Sequence, residues 1–263
     1  MKNYALITGA SRGIGLELAK LFAKDGYPLI LVARSKDQLE HIRETLINAY
    51  HIDVVIMVED LSIPYIAKTI YQNIAQKGLR VDYLVNNAGF GDYGPFLQAS
   101  LERHYEMIQV NVLSVMELCH YFANDMKKHH FGHILNVGSI ASFFPGPFMA
   151  TYYASKAFVL SFSEALSKEL RPYGIFVTVL CPGTTDTHFF QVANASSDKM
   201  DLLKHMRPAS AYSVAQYGYH KMMKKKVIAV YGMKNRTAIF MNRLISRRLS
   251  RNIVYRIQNE RSK

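Results

Sequence analysis

Cysteine and long apolar runs are both scarce in this sequence of 263 residues. Cys119 and Cys181 are its only cysteines, and they fall in segments of opposite periodicity, so we expect two reduced, partly buried thiols. The apolar run at residues 4–7 is far too short for the core of a signal peptide. Residues 132–155 carry no charged side chain, but two prolines interrupt them, so they are not predicted to span a membrane. We therefore predict a cytoplasmic protein.

Acidic residues are almost absent from the last part of the chain. Residues 219–263 contain 13 Lys and Arg and a single acid, Glu260, whereas residues 1–218 contain 19 basic and 19 acidic residues. The tail therefore carries the whole net charge of +12. No nucleic-acid-binding module accompanies this charge, so we do not expect a nucleic-acid partner.

Two amphipathic helices are predicted inside this basic tail. Residues 236–246 and 247–258 each place apolar side chains on one helical face opposite arginines, but the two stripes are out of phase. We expect a break near Ser246 and treat residues 234–263 as an extension of a domain formed by residues 1–233. Such helices suit peripheral contact with an anionic membrane; alternatively, they pack on the body or on a neighbouring subunit.

Short apolar runs alternate with segments of helical period along the rest of the chain. The runs are rich in Val, Ile and Leu and lack polar alternation, which is typical of strands buried on both faces; they lie at residues 4–7, 29–32, 54–58, 83–85, 133–137, 176–180 and 227–230. Helical segments lie between them, among them residues 14–24, 100–128 and 152–170. The pattern predicts one α/β domain: a doubly wound parallel sheet (Rossmann fold) of about seven strands, with helices on both faces. Ligands of such sheets bind at the carboxyl ends of the strands.

A glycine-rich loop follows the first predicted strand directly. Gly9 permits a tight turn, Gly13 allows the backbone to approach a pyrophosphate, and Gly15 lets the following helix pack close to the strand. The free amides at the start of that helix attract negative phosphate. A glycine trio alone is weak evidence, but this trio lies between a strand and a helix and predicts a dinucleotide site.

The second predicted strand indicates which dinucleotide binds. An NAD site has an acid near the end of that strand to bind the ribose 2′-hydroxyl. Here the position holds no acid, and Arg34 stands there instead, with Arg12 in the glycine loop as a second guanidinium. Guanidinium groups pair well with a phosphate dianion, so we expect NADP(H) rather than NAD(H).

The motifs along the chain resemble the short-chain dehydrogenase/reductase family. The matching pieces, in order, are the loop at residues 8–15, the segment at residues 86–89, Asn111, Ser139, the Tyr152-x-x-x-Lys156 pair and Pro182-Gly183. The resemblance implies an NADP-preferring oxidoreductase of about 250 residues that transfers a hydride to or from a carbonyl carbon. It also implies a homodimer or homotetramer built on the helices at residues 100–128 and 152–170.

Reduction of a carbonyl needs a proton donor beside the hydride donor. Tyr152 and Lys156 lie four residues apart and share one helix face, where the ammonium favours the phenolate. The tyrosine pKa must fall by about three units to work at neutral pH, or roughly 4 kcal/mol, which we expect Lys156 and the cationic nicotinamide of the oxidised cofactor to supply together. Tyr153 is a competing candidate, but family spacing selects Tyr152. Ser139 is placed to hold the substrate oxygen, with Ser142 as the alternative.

The remaining site residues follow from the resemblance alone. It implies that Asn111 orders a water beside Lys156, so that Asn111, Ser139, Tyr152 and Lys156 form the catalytic set. It also implies a set of cofactor contacts, namely Gly9, Ser11, Arg12, Gly13, Ile14, Gly15, Arg34, Asp60, Leu61, Asn87, Ala88, Gly89, Tyr152, Lys156, Pro182, Gly183, Thr185 and Thr187. No metal site is expected.

Three segments are predicted to form the substrate pocket: residues 90–95, 143–151 and 184–207. Their lining is mostly apolar and has no arginine cluster, so we expect a hydrophobic aldehyde or ketone as the substrate; alternatively, the aromatic side chains of these segments are core or dimer contacts.

The sequence leaves two other functional classes open: a non-catalytic NADP(H)-binding redox sensor and a membrane-associated scaffold. The intact Ser139, Tyr152 and Lys156 argue for the enzyme, since a sensor does not need the proton donor.

Overall fold

The computed structural model describes residues 3–186 and 208–260. Its main sheet is formed by β1 Tyr4–Thr8, β2 Leu29–Ala33, β3 Val54–Val58, β4 Val81–Asn86, β5 Gly132–Val137, β6 Ile175–Cys181 and β9 Ile228–Val230. The strands are all parallel and lie in the order β3-β2-β1-β4-β5-β6-β9. Two short strands, β7 Thr185–Asp186 and β8 Ala209–Ser210, pair separately. The predicted fold class is confirmed.

Helices cover both faces of the sheet. They are α1 Gly13–Lys24, α2 Lys36–Tyr50, α3 Ile66–Gln76, α4 Leu101–Ile108, α5 Ser114–Lys128, α6 Ala150–Glu169, α7 Ala211–Met223, α8 Met233–Arg243 and α9 Arg247–Glu260. Neighbouring residues of one strand enter different cores, because their side chains alternate across the sheet. Ile7 belongs to the core that contains α1 and α7, whereas Leu6 belongs to the core that contains α3 and α5.

The order of the strands creates a crevice at the centre of the sheet. β1 pairs with β2 on one side and with β4 on the other, so the chain reverses direction across the sheet at β1. Connections leave to opposite faces at such a point, and the space between them is where doubly wound sheets bind ligands. The glycine-rich loop and the segment after β4 both open into this crevice.

The predicted helix at residues 100–128 is divided in the structure. The Ser100 hydroxyl caps α4 by accepting from the Arg103 amide at 3.2 Å, as an N-cap serine does. A π-helical turn, Gln109–Leu113, then joins α4 to α5. Such turns insert one extra residue and are frequent at functional sites. This one contains Asn111, which is fully buried.

The tail forms two helices, α8 and α9, with a break between residues 243 and 247 that matches the predicted one near Ser246. The described part of this extension contacts the body: Asn242 donates to the Phe143 carbonyl at 2.9 Å. A domain boundary at residue 233 stays a prediction. No helix within the described ranges combines the length and apolar character that a bilayer crossing requires.

Both cysteines are buried and unpaired, as the sequence predicts. Cys119 lies on α5 within one core, and Cys181 ends β6 within another. Burial raises the pKa of each thiol to about 12, so both stay protonated at neutral pH.

Candidate active site

A cleft of about 1150 Å³ lies at the carboxyl ends of the strands. Most of the predicted site residues line it, namely Gly9, Ser11, Arg12, Gly13, Ile14, Arg34, Asp60, Leu61, Asn87, Ala88, Gly89, Ser139, Tyr152, Lys156, Pro182, Gly183 and Thr185. Gly15 and Asn111 lie behind this surface, while Thr187 falls outside the described residues. The sequence motifs, spread over the chain, therefore converge on one cavity.

The glycine loop has the geometry that a dinucleotide phosphate needs. Gly9 and Gly13 have positive φ angles of 64° and 56°, which side chains rarely adopt. A Cβ on Gly15 would lie 2.3 Å from the Gly9 carbonyl oxygen, so α1 can approach β1 only with glycine there. The N-terminus of α1 has no side-chain cap and no acid in its first turn, which leaves its amides suited to a phosphate. These residues fit the pyrophosphate of a dinucleotide.

Two arginines flank the end of the cleft where the ribose 2′ position is expected. Arg34 follows β2 directly, and its side chain is 71% exposed. Its guanidinium lies 3.9 Å from the Asp60 carboxylate, a loose and solvent-screened ion pair. Arg12 is exposed at the start of α1 and lines the same cavity. Both guanidinium groups are accessible to a phosphate.

Ser139, Tyr152 and Lys156 form a cluster in the other half of the cleft, in which Tyr152 and Lys156 are buried and Ser139 is half-buried. Ser139 follows β5, and its hydroxyl bonds the Tyr152 phenol and accepts from the Ala141 amide at 3.1 Å. Lys156 lies one turn beyond Tyr152 on α6, with its Nζ 5.9 Å from the centre of the Tyr152 ring. Lys156 Nζ donates to the Val137 carbonyl at 2.9 Å, which fixes the ammonium beneath the phenol.

Burial dominates the ionisation of this cluster. It raises the pKa of Tyr152, and the Ser139 hydrogen bond only partly opposes that rise. It lowers the pKa of Lys156 to about 8. The predicted fall of the Tyr152 pKa includes the positive charge of the oxidised nicotinamide, so it stays a prediction for the complex with the cofactor. Tyr152 is a phenol at neutral pH, which is the form that donates a proton.

The two alternative candidates have other partners. The Ser142 hydroxyl donates to the Lys156 main-chain carbonyl at 2.7 Å, and so ties the turn after β5 to α6. The Tyr153 hydroxyl accepts from Gln258 Nε2 at 3.0 Å, and its ring lies against Gly146. The geometry favours Ser139 and Tyr152, whose catalytic roles remain predictions.

Asn111 fixes the segment that follows β4. Its Oδ1 accepts from the Phe90 amide at 3.1 Å, and its Nδ2 donates to the Phe90 carbonyl at 2.9 Å and to Ser155 Oγ at 3.1 Å. A Cβ on Gly89 would lie 3.0 Å from Asn111 Oδ1 and 3.3 Å from Lys156 Nζ. Asn111 and Lys156 therefore approach each other at Gly89. The water-ordering role that the resemblance implies for Asn111 stays a prediction.

The predicted pocket segments only partly line the cleft. Phe90 and Met149 contribute to it, whereas Phe143 packs into the core beside α6. Phe148 stacks between Tyr93 and a tyrosine of α9 instead. The third segment, residues 184–207, lies mostly outside the described residues.

Several lining residues were not predicted from the sequence. They are Arg103 and Glu106 of α4 and a set from the C-terminal helices, including Met241, Ile245, Ile253, Val254 and Ile257. Their apolar spacing was visible as a helical stripe, but a stripe does not say which surface it faces.

Comparison with known proteins identifies the family. The model of the short chain dehydrogenase family matches residues 3–198. The chain belongs to this family. It is an oxidoreductase with a dinucleotide-binding Rossmann fold, as the motifs predicted.

Curated relatives align with most of the chain. A very-long-chain 3-oxoacyl-CoA reductase from Pyrenophora tritici-repentis is 27% identical over 99% of the chain and 81% of its own length. Hydroxysteroid dehydrogenase-like protein 1 from Gallus gallus is 31% identical over 83% of the chain, and a very-long-chain 3-oxoacyl-CoA reductase from Anas platyrhynchos is 32% identical over 74%. The chain spans only 66% and 64% of the lengths of these two bird proteins.

Solved structures of the family superpose closely. A short-chain dehydrogenase from Sphingobium yanoikuyae in complex with NADPH has a TM-score of 0.82 at 27% identity, covering 92% of this chain and 94% of its own. An alcohol dehydrogenase from Thermococcus sibiricus complexed with 5-hydroxy-NADP has a TM-score of 0.76 at 27% identity, covering 88% and 96%. A Burkholderia phymatum enzyme in complex with NAD, at 24% identity, shares the fold.

Proposed function

We propose that this short-chain dehydrogenase is an NADP(H)-dependent reductase of a hydrophobic aldehyde or ketone. The observation that carries the proposal is the single cleft, in which the glycine loop lies at one end and Ser139, Tyr152 and Lys156 lie at the other. A non-catalytic redox sensor or scaffold does not need a buried phenol held by a serine hydroxyl. This cluster therefore favours catalysis over both.

The cluster of Ser139, Tyr152 and Lys156 supplies the proton that reduction of a carbonyl requires. Ser139 holds the carbonyl oxygen of the substrate, and Tyr152 donates a proton to that oxygen as negative charge develops. The Lys156 ammonium, held by the Val137 carbonyl, stabilises the phenolate that remains. A nicotinamide dinucleotide bound in the cleft supplies the hydride.

NADP(H) is the cofactor that the arginines support. Arg12 and Arg34 would hold the 2′-phosphate, and the carboxyl end of β2 carries no acid to favour an unphosphorylated ribose. The Sphingobium and Thermococcus structures, solved with NADPH and 5-hydroxy-NADP, agree with this choice.

The cleft and the relatives both support a lipophilic substrate. Phe90, Phe144, Met149 and the apolar residues of α9 line the same cleft as the polar cluster. The curated relatives are named for very-long-chain 3-oxoacyl-CoA and for hydroxysteroids, and the acyl chain of the one and the ring system of the other are large and apolar. We therefore place long-chain 3-oxoacyl thioesters first among the candidate substrates.

The test is NADPH oxidation against aldehydes, ketones and 3-oxoacyl thioesters graded by chain length, repeated with NADH. We expect kcat/KM to rise with the length of the apolar chain and to be higher with NADPH. Turnover of none of these compounds with either cofactor would contradict the proposal. Faster turnover with NADH would contradict the cofactor assignment alone.

We also propose that the enzyme is a homodimer or homotetramer. Leu101, Tyr105, Leu113 and Met116 are exposed apolar side chains along α4, the π turn and α5, the helices on which the expected subunit contact is built. Light scattering coupled to size exclusion should give a multiple of the 30.0 kDa chain mass. A monomer at micromolar concentration would exclude this assembly.

A cytoplasmic location with peripheral membrane contact is the remaining proposal. Phe240 on α8 and Leu244 directly after it are 59% and 65% exposed, close in sequence to arginines such as Arg243 and Arg247. Exposed apolar side chains bordered by arginines suit an anionic bilayer surface. The double change of Phe240 and Leu244 to Ser should abolish co-sedimentation with phosphatidylserine vesicles, whereas Ile63→Ser, at another exposed apolar position, should not. Equal pelleting of both variants would reject the contact.

A further inference from the structure

One arginine of the cleft has no part in the proposed chemistry. Within the described residues, the basic side chains that line the cleft are Arg12, Arg34, Arg103 and Lys156. The first two flank the end assigned to the ribose phosphate, and Lys156 belongs to the proton-donating cluster. Arg103, on α4, lies outside all three segments that were predicted to form the substrate pocket. Its presence in the lining therefore needs another explanation.

The guanidinium of Arg103 is held against the segment after β4. Its central carbon lies 4.2 Å from the centre of the Phe90 ring, which is a cation–π contact. Phe90 is itself fixed, because Asn111 bonds both its amide and its carbonyl. Phe90 directly follows Gly89, where a Cβ would lie 3.3 Å from Lys156 Nζ. Through Phe90, Arg103 is therefore tied to the half of the cleft that holds the proton-donating cluster.

The ion pair that Arg103 forms with Glu106 is loose. Arg103 Nη1 lies 3.5 Å from Glu106 Oε2, whereas charge-assisted bonds between such groups are about 2.7–2.9 Å long. The Glu106 side chain is 51% exposed, so water screens its charge. Both side chains line the cleft. An oxyanion that enters the cleft can therefore compete with Glu106 for the guanidinium.

A wholly apolar ligand would match this part of the cleft poorly. The Arg103 side chain is only 27% exposed, and a ligand that covers it removes more of its water. Removing water from a charged group costs free energy unless an opposite charge takes its place. A carboxylate or a phosphate provides that charge and pairs with the planar fork of a guanidinium through two parallel hydrogen bonds. The ligand expected here carries an oxyanion as well as apolar surface.

We infer that Arg103 determines substrate specificity by binding an oxyanion, a carboxylate or a phosphate, that the substrate carries apart from its reacting carbonyl. The enzyme then prefers anionic carbonyl compounds to neutral ones of the same chain length. Oxo acids and 3-oxoacyl thioesters of a phosphate-bearing carrier both have this chemistry. The identification of the ligand as the substrate rests on the proposed function, whereas the anion site itself does not.

Matched ligands test the anion site without any turnover. The pairs are octanoate with octanamide and octyl phosphate with 1-octanol, titrated calorimetrically into the full chain in excess NADPH. The anion of at least one pair should bind about tenfold more tightly than its neutral partner, and Arg103→Met should remove that difference. The pair that shows the difference tells a carboxylate site from a phosphate site. Equal affinities within both pairs for the unchanged protein would overturn the inference, as would a difference that survives in Arg103→Met.

Glu106→Gln gives a second test that leaves Arg103 in place. The change removes the competing carboxylate, so the affinity for the preferred anion should rise by about two- to fivefold while that for its neutral partner stays unchanged. An arginine that serves only to pair with Glu106 predicts no such selective gain. No gain, or an equal gain for both members of the pair, would overturn the inference even if Arg103→Met did not fold.

The matched controls are Arg43→Met and Glu40→Gln. Arg43 and Glu40 form an ion pair of the same spacing on α2, with Arg43 Nη2 3.2 Å from Glu40 Oε2, and neither residue lines the cleft. Each control changes the net charge by the same amount as its counterpart on α4 and should leave the anion preference as it is in the unchanged protein. Equal effects of the α2 and α4 variants would assign the preference to net charge and reject Arg103 as its source.

The binding experiment separates this inference from the proposed function. If the anions bind as expected but no carbonyl compound is reduced, the anion site stands and the reductase assignment fails. If carbonyl compounds are reduced and the members of each pair bind equally, the reductase assignment stands and the role of Arg103 fails.

Discussion

Burial acts on two neighbouring ionisable groups of α6 in opposite directions. It raises the pKa of Tyr152 and lowers the pKa of Lys156 to about 8, because each group loses water that stabilises its charged form. At neutral pH Tyr152 is therefore a phenol and Lys156 is mostly an ammonium. Reduction of a carbonyl requires these protonation states, because the phenol donates the proton and the ammonium stabilises the phenolate that remains.

The role of Tyr152 as proton donor can be tested by removing its hydroxyl oxygen. Tyr152→Phe keeps the ring and its packing but cannot donate a proton, so kcat for reduction should fall by roughly 10²–10⁴-fold. NADPH affinity, measured by the fluorescence of the bound cofactor, should stay nearly unchanged. Turnover close to that of the unchanged enzyme would reject Tyr152 as the acid.

The lysine predicts a pH profile. The ammonium is present below a pH of about 8 and is lost above it, so kcat/KM for reduction should be level at lower pH and fall as pH rises through about 8. In Lys156→Arg the charge persists, and this fall should disappear from the residual activity. The same fall in the arginine variant would assign it to another group.

Arg34 predicts the cofactor preference. Arg34→Asp replaces a cation with an acid that suits a ribose hydroxyl, and it removes a charge-assisted bond of about 1.5–3 kcal/mol. The ratio of kcat/KM for NADPH to that for NADH should fall by roughly ten- to a hundredfold. Lys36→Asp, an equal charge change two residues later, is the control. An unchanged ratio in Arg34→Asp would remove Arg34 from the 2′-phosphate site.

At the scale of elements, the seven strands of the main sheet were predicted well because each contains an apolar run, whereas the short polar strands β7 and β8 were not predicted. The boundaries at residues 54–58 agree with β3, and those of β5 differ by one residue. The π turn at Gln109–Leu113 was not predicted, because one inserted residue leaves the apolar spacing of a long helix almost unchanged. Asn111 was identified through the family motif, and only the structure places it within that turn.

The π turn predicts a specific defect. Asn111→Ala removes three hydrogen bonds that join the turn to Phe90 and Ser155, at a cost of about 1–3 kcal/mol in unfolding free energy. The loop after β4 loses its anchor beside Gly89, so KM for NADPH should rise as well. Urea denaturation and steady-state kinetics measure the two effects. An unchanged unfolding free energy in Asn111→Ala would show that these three hydrogen bonds make no net contribution to stability.

At the scale of the whole molecule, the sequence predicts the catalytic half of the cleft better than its outer wall. Residues such as Ser139 and Lys156 belong to the motifs on which the resemblance to the family rests. The lining by Ile253 and Gln258 depends on contacts with Tyr93 and Tyr153, more than a hundred residues away in the chain. A helical period indicates an apolar face, but the partner of that face is set by long-range packing.

The two buried cysteines can report how often the native structure opens transiently. A maleimide or disulfide reagent attacks only a thiolate that it can reach, and Cys119 and Cys181 are neither exposed nor ionised in the native state. Labelling of each thiol, followed by mass spectrometry, should therefore proceed only through transient opening, and its rate reports the free energy of that opening. Saturating NADPH should slow the reaction, since a ligand of the native state makes opening rarer. Rapid labelling in native buffer would mean that the cores around α5 and β6 open freely.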